Sequence, residues 1–399
     1  MNYPVKKIIV DKYKLGSLCL KVAKLGQSGV RQVKLVLPFK LEKNDSAPSV
    51  TRAAPEIAEV KKYARSAGIK ISSGYSLANN PYLPEDRDFL NIDKAELKID
   101  LQKFKSKPKF TVVIPVYNKK NSLKFALSGF FNQNFAKSKY EVIVVDDGSE
   151  DGAPEMVKNI LPVCNFKYFY WPRKRIKVKQ KQKRWSKFYN RAGPARNIGI
   201  KHAQGDIVLF NDADVLVDRN CLEKHKKYHD QRDNLVIRGF RNYLSENFKP
   251  NYKNTRNLRS LTRISCPERV KWEKPENFRD EKHLSDKWFR FVTANLSIRR
   301  KYLEEVGGFD KDFVFWGFED TDLGYRLGKK FNLGFIWDDR IKVYHLYHPR
   351  EAGDKLNDLF AFKIGADIFY HKYLDEEIYN LYKDVIMGRL EDIILEDYL

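Results

Sequence analysis

The sequence predicts an α/β protein built on a doubly wound, mostly parallel sheet with flanking helices. Three observations point there. Short, nearly continuous apolar runs recur at Phe110–Pro115 (FTVVIP), Glu141–Val145 (EVIVV) and Asp206–Phe210 (DIVLF), as strands buried on both faces require. Segments of helical character lie between them. Polar residues follow directly on the carboxyl ends of the runs, where sheets of this kind bind ligands.

Residues 1–100 read as a separate region of mixed β and loop structure, to which no function attaches. Its β-like runs, Lys7–Val10, Cys19–Val22 and Gln32–Leu37, are broken by Gly16, Gly26 and Gly29. Residues 43–56 read as a linker, Ile57–Ala67 as a short helix and Ser72–Arg87 as a loop. The catalytic domain is expected over 108–350. Between its apolar strands the pattern places helices at Leu123–Phe131, Ala153–Leu161 and Ala195–Ala203, and one more strand at Lys167–Tyr170. Residues 351–399 form a C-terminal extension. There Ile378, Leu381, Val385, Ile386, Leu390, Ile393 and Ile394 recur at three-to-four spacing, the pattern of an amphipathic helix. Its polar face is acidic, which suits a cap on the core or self-association into a homo-oligomer better than a membrane.

Composition narrows the class. Of 399 residues, 42% are apolar and 14% aromatic, enough for a sizeable core, so global disorder is excluded. Cys19, Cys164, Cys221 and Cys266 lie far apart with no CxxC pair, which argues against a disulfide framework or zinc site and for a reducing compartment. With no signal peptide visible and apolar runs far short of a bilayer span, a soluble cytoplasmic protein is expected. The net charge is +23, and residues 173–191 hold ten basic side chains and no acid, whereas residues 374–399 hold eight acids against two bases. The plainer reading of the basic run is a solvated loop. The functional one is a surface for an anionic partner such as phospholipid headgroups, a lipid-diphosphate carrier or an acidic glycan, which would hold the protein at the inner face of the membrane. No nucleic-acid motif accompanies the charge, so nucleic acid is not an expected partner.

Three constellations carry chemistry. Asn211-Asp212-Ala213-Asp214 follows the strand DIVLF, and two carboxylates one residue apart on a strand exit can face one ligand, as hard divalent cations on phosphate oxygens require. Alone, such a pair also caps helices and fills turns. In Val144–Gly152 (VVDDGSEDG), acids at a strand end followed by Gly and Ser suit a tight turn around a nucleotide base or ribose, or an ordinary turn with a helix cap. Phe315–Asp322 (FWGFEDTD) sets three acids beside an aromatic pair, which suggests a general base held against a stacked sugar ring. An acidic helix start would explain the acids but not the adjoining Trp316.

Taken in order, TVVIPVYN at 111–118, VVDDGS at 144–149, ARNIGI at 195–200 and NDAD at 211–214 resemble the family-two glycosyltransferases, whose nucleotide-binding half has the GT-A fold. TANLSIRR at 293–300, GGFD at 307–310, WGFED at 316–320 and VYHLYH at 343–348 resemble the C-terminal half shared by chondroitin-polymerase-like and β-1,4-galactosyltransferase-like enzymes. The resemblance implies a UDP-sugar donor, a glycan or glycoconjugate acceptor and Mn²⁺ or Mg²⁺. It places Pro115 and Tyr117 at the donor site, Tyr117 stacking near the uracil, and has Asp147 accept its N3–H. It sets Arg196 and Asn197 beside the base and phosphates. Asp214 would hold the metal on the diphosphate, Asp212 the ribose or donor sugar, and His345 would supply a second ligand, with His348 as the fallback or either histidine purely structural. Asp320 aligns with the catalytic base, Glu319 with an acceptor or donor-sugar contact, and Trp316 with the aromatic wall. The chain reads WGFED where galactosyltransferases carry WGWGGED, and the basic run has no counterpart; both leave the acceptor open.

These roles imply inverting displacement at the anomeric carbon, with Asp320 taking the acceptor proton. Two other readings are weighed. A sugar-1-phosphate nucleotidyltransferase would open with a Gly-rich phosphate loop where this chain has VYNKKNS. A non-catalytic glycan- or membrane-binding module on the same scaffold is at odds with intact Asp214, Asp320 and His345.

Overall fold

The computed structural model describes residues 19–22, 32–36, 70–73, 88–173, 189–252, 255, 258, 279–347 and 354–386. The run Lys7–Val10, the linker 43–56, the helix expected at 57–67, nearly all of the loop 72–87, basic residues 174–188, His348 and the end of the C-terminal stripe lie outside them. The chain divides into two compact units. One comprises residues 1–86, 176–189 and 353–398. In it β1 (Cys19–Val22) pairs antiparallel with β2 (Gln32–Val36), which pairs parallel with β3 (Lys70–Ser73). Toward the C-terminus this unit holds two helices, Asp354–Tyr373 and Glu376–Ile386, joined at Leu374, where φ is +48°. Of the apolar stripe expected there, Ile378 is fully buried, whereas Leu381 is 46% exposed.

The second unit, residues 87–175 and 190–352, carries the site. It begins ahead of residue 108 because β4 (Glu96–Leu101) is the edge strand of its sheet, antiparallel to β7 (Asn165–Tyr170). Almost all of β4 is exposed, so it lacks the apolar signature of its neighbours. Inside it run β6 (Tyr140–Asp146), β5 (Phe110–Val116) and β8 (Ile207–Asn211), parallel to one another and to β7. β6 and β8 are wholly buried, and in β5 only Pro115 is partly exposed, which is why their sequences are continuous apolar runs rather than alternating ones.

Helices α1 (Lys120–Phe131), α2 (Ala153–Lys158) and α3 (Ala192–Lys201) connect these strands. α3 starts three residues ahead of the apolar pattern, since Ala192, Gly193 and Pro194 carry no long apolar side chain to mark the turn. Its Gly199 lies against β5: a Cβ there would stand 2.3 Å from Val113 Cγ1, so any larger residue would push the helix off the sheet.

The sheet continues past β8 with strands that the apolar pattern does not show. β12 (Asn295–Arg299) inserts antiparallel between β8 and β10 (Leu235–Tyr243), and β10 pairs parallel with β13 (Gly334–His345). β9 (Val215–Val217) and β11 (Lys282–His283) pair antiparallel with β13. Among the described residues the full order is β11-β13-β10-β12-β8-β5-β6-β7-β4. Helix α4 (Cys221–His229) follows β9, and α5 (Leu284–Lys287), α6 (Arg300–Glu305) and α7 (Glu319–Lys330) complete the unit. At the amino end of the parallel strands, Glu141 is fully buried and satisfied: it accepts from Thr111 Oγ1 at 2.6 Å and from the Gln204 amide at 2.6 Å, and pairs with Lys167 at 3.1 Å. That carboxylate holds the sheet together; the acids at the opposite ends of the strands have different surroundings.

Candidate active site

The loops after β5 and β6 are tied into one surface. The Asn118 amide, in the left-handed region at φ +49°, donates to Ser149 Oγ at 2.9 Å, and the Glu150 amide donates back to Asn118 Oδ1 at 2.8 Å. Asp146, at the end of β6, accepts from Tyr168 Oη at 2.5 Å and from the Ser149 amide at 2.7 Å; burial pushes its carboxyl up. Pro115 lies past Val113, the last β5 residue paired with β8, so its missing donor breaks no bond of that ladder. Tyr117 is 43% exposed and carries the Arg173 guanidinium 3.6 Å from its ring centroid.

Asp147 is more deeply committed than the sequence suggests. Its carboxylate pairs with both Arg173 and Arg191. Arg191 is itself buried and donates to the carbonyls of Phe89 at 2.9 Å and Trp171 at 3.1 Å while stacking on the Trp171 ring. Burial pushes the Asp147 carboxyl up against the pull of both guanidiniums. Gly148 makes this possible: its φ is +79°, and a Cβ would stand 2.7 Å from the Arg173 nitrogen. The two arginines are residues that sequence reasoning missed as partners of Asp147; it read them only as ends of the basic run.

The NDAD turn joins β8 to β9. Asp214 is buried; its Oδ2 accepts from Lys119 Nζ at 2.6 Å, and its Oδ1 lies 3.6 Å from His345 Nε2. The sheet brings this pair together, because β9 and β13 pair with His345 opposite Val215. Burial holds His345 below the ordinary imidazole range in spite of Asp214. Lys119 was visible only as one of two lysines in VYNKKN, without a partner. Among the described residues no cluster of three or more His, Cys, Asp or Glu side chains is poised to hold a metal ion. Asp214 and His345 meet as a pair, with Asp212 two residues from Asp214 in the chain.

Arg196 links this turn to the second half of the unit. Its buried guanidinium donates from Nη2 to Asp212 Oδ1 at 2.8 Å, while Nη1 lies 3.9 Å from Glu319 Oε1 and 4.0 Å from Asp320 Oδ1. Asn197, one residue on, turns away from this cluster: its amide clamps the Phe309 backbone, donating to the carbonyl at 2.7 Å and accepting from the N–H at 2.7 Å. Both groups of the Asn197 amide are thereby used in docking the GGFD turn. A Cβ on Gly308 would reach within 2.3 Å of Asn197 Oδ1, which accounts for the glycine in that turn.

Glu319 and Asp320 open α7, where the helix N-terminus favours negative charge. Asp320 accepts from the Thr293 amide at 3.0 Å and from Thr293 Oγ1 at 2.8 Å, so its orientation is fixed from β12's approach. Glu319 Oε2 accepts from the Gly317 amide at 3.1 Å. Burial and the neighbouring Asp320 push the Glu319 carboxyl up to about 7, and burial raises Asp320 as well. Trp316, at the mouth of this corner, is 44% exposed next to Gly317 at φ +110°.

Parallel strands whose acid-tipped loops face a second pair of acids across one arginine make up a GT-A-like domain. The comparisons with known proteins agree. Residues 111–307 match the family model for glycosyl transferase family 2, and residues 273–349 match a model described as the N-terminal domain of galactosyltransferase. The chain thus carries a glycosyl transferase family 2 domain. It is 30% identical over 276 residues to an uncharacterized glycosyltransferase of Bacillus subtilis (strain 168), covering 60% of this chain and 65% of that protein. It is 28% identical over 234 residues to the chondroitin synthase of Escherichia coli and over 294 residues to the hyaluronan synthase of Pasteurella multocida. Those alignments cover 54% and 67% of this chain but 32% and 28% of the synthases. A crystal structure of Staphylococcus aureus TarS 1-349 in complex with UDP-GlcNAc aligns with a TM-score of 0.46 at 19% identity, over 71% of this chain and 72% of that one.

Proposed function

We propose that this domain transfers a hexose or N-acetylhexosamine from a UDP-sugar to a hydroxyl of a glycan or glycoconjugate, with inversion at the anomeric carbon. One observation carries the reading: Arg196 bridges the NDAD turn, the donor side, to Glu319 and Asp320, the acceptor side, with no contact above 4.0 Å. A site that only bound a glycan would have no use for a buried and a half-buried carboxyl gathered at the far side of a nucleotide-type turn. Polymer synthases among the relatives support a glycan acceptor and a place in polysaccharide or surface-glycan synthesis.

In this reading Asp320, oriented by Thr293, takes the proton of the acceptor hydroxyl while that oxygen bonds to the anomeric carbon. The bond from that carbon to the diphosphate oxygen breaks, and its electron pair leaves with UDP. Tyr117 provides a face for the uracil, Trp316 a wall for the sugar, and Arg196 and Lys119 supply positive charge near the diphosphate. The Asp214–His345 pair offers one oxygen and one nitrogen donor, which fits an ion completed by diphosphate oxygens and favours Mn²⁺ over Mg²⁺. Bound there, such an ion would stabilise the charge of the departing diphosphate. The test is a panel of UDP-sugars assayed for UDP release with and without divalent cation. No release from any donor, with any acceptor glycan, would overturn the reading.

A further inference from the structure

Behind the NDAD turn, under β8 and β12, lies a chain of buried polar side chains that none of the roles above uses. Asn211, Asn295, Ser297, His225 and His229 are each at most 2% exposed. Asn211 Nδ2 donates to the carbonyls of Asp212 and Val215, both at 2.9 Å, and so spans the turn that presents Asp212 and Asp214.

From these two carbonyls the donor and acceptor of each further pair can be read. Since they can only accept, the Asn211 amide nitrogen faces them and its Oδ1 faces inward. Oδ1 accepts from Asn295 Nδ2 at 3.1 Å, which turns Asn295 Oδ1 toward His225. That oxygen in turn accepts from His225 Nε2 at 3.0 Å, so Nε2 carries the hydrogen. His225 Nδ1 is 2.8 Å from Ser297 Oγ and His229 Nε2 is 2.7 Å from the same oxygen. A hydroxyl has one hydrogen to give: Ser297 donates to His225 and accepts from His229. Donors thus point one way, from helix α4 to the turn. The arrangement needs His225 neutral, and burial pushes it down to about 4 and His229 down to about 3. Two histidines four apart on α4 meet one serine of β12, so the helix and the strand jointly determine which way two amides face.

We propose that Asn211 and Asn295 are positioning residues for the NDAD turn, and that the His229–Ser297–His225 relay fixes their orientation from a site remote from substrate. This rests on the donor-binding role proposed above, yet part of its test does not. The turn also contains a bond from the Val215 amide to the Asp212 carbonyl, at 3.1 Å, whose hydrogen exchange reports the turn with no ligand present.

The experiment compares Ser297→Ala and Ser297→Thr with the wild-type chain, by Val215 amide exchange and by calorimetric binding of UDP with Mn²⁺. Ser297→Ala is expected to speed Val215 exchange and to weaken UDP·Mn²⁺ binding by about tenfold, the scale on which groups behind a metal ligand act. Ser297→Thr keeps the hydroxyl and should restore both. Should Ser297→Ala not fold, Asn211→Asp replaces the two donors with acceptors in the same shape and must produce the same two changes. Unaltered Val215 exchange in a folded Ser297→Ala or Asn211→Asp would overturn the relay. Faster exchange with wild-type affinity, or equal losses in the Ala and Thr variants, would overturn its positioning role. A wild-type chain that binds no UDP would instead overturn the proposed donor, leaving the relay to be judged by exchange.

Discussion

The carboxylate of Asp214 and the imidazole of His345 meet at 3.6 Å although one follows β8 and the other ends β13. Their meeting depends on the short antiparallel pairing of β9 with β13. Replacing Asp214 by Ala is expected to abolish cation-dependent UDP release while leaving the far-ultraviolet circular dichroism unchanged. Full release by the wild-type chain in excess chelator would contradict the role given to this pair.

Asp320→Asn keeps the hydrogen bond from the Thr293 amide but removes the ability to take a proton. Turnover should fall by at least about a hundredfold with UDP affinity nearly unchanged. A variant with near-normal turnover would shift the base to Glu319.

Glu319 provides a test in pH. Its carboxyl is raised from about 4.5 to about 7 by burial and by Asp320. A raised folded-state value means that the folded protein holds the proton more tightly than the unfolded chain. The resulting stability is fully present below about 4.5 and is lost as the pH rises through about 7. Glu319→Gln should therefore flatten this part of the stability curve, by an amount on the order of 1–3 kcal/mol between the two limits. Urea unfolding at a series of pH values measures it; parallel curves for both proteins would refute the assignment.

Tyr117 presents an exposed ring beneath the Arg173 guanidinium. If it stacks on the uracil, Tyr117→Ala should weaken UDP binding by about tenfold, in line with about 1–3 kcal/mol for a base on an aromatic side chain, and Tyr117→Phe should not.

For the basic run, replacing Lys177, Lys179, Lys181 and Lys183 by Gln should remove salt-sensitive binding to vesicles containing anionic lipid and leave UDP affinity as it was. Unchanged vesicle binding with weakened UDP affinity would reassign the run to the donor site.

The parallel core was legible because burial on both faces leaves FTVVIP, EVIVV and DIVLF without alternation, and the acids at their ends stood out against it. β4 was not legible, being an exposed edge with nothing apolar to repeat. Partners across the sheet were equally hidden. Nothing local in KHKKYH tells that His225 and His229 face Ser297, nor does TAN show that Thr293 holds Asp320; such pairs exist only once β12 is inserted between β8 and β10. The bonds from Asn197 to the Phe309 backbone were hidden in the same way, since ARNIGI says nothing of its partner across the unit.

Arg173 and Arg191 bracket the basic run, and both end on the carboxylate of Asp147. One carboxylate is therefore the common partner of two guanidiniums eighteen residues apart in the chain. Any partner that takes over that carboxylate competes with two guanidiniums at once.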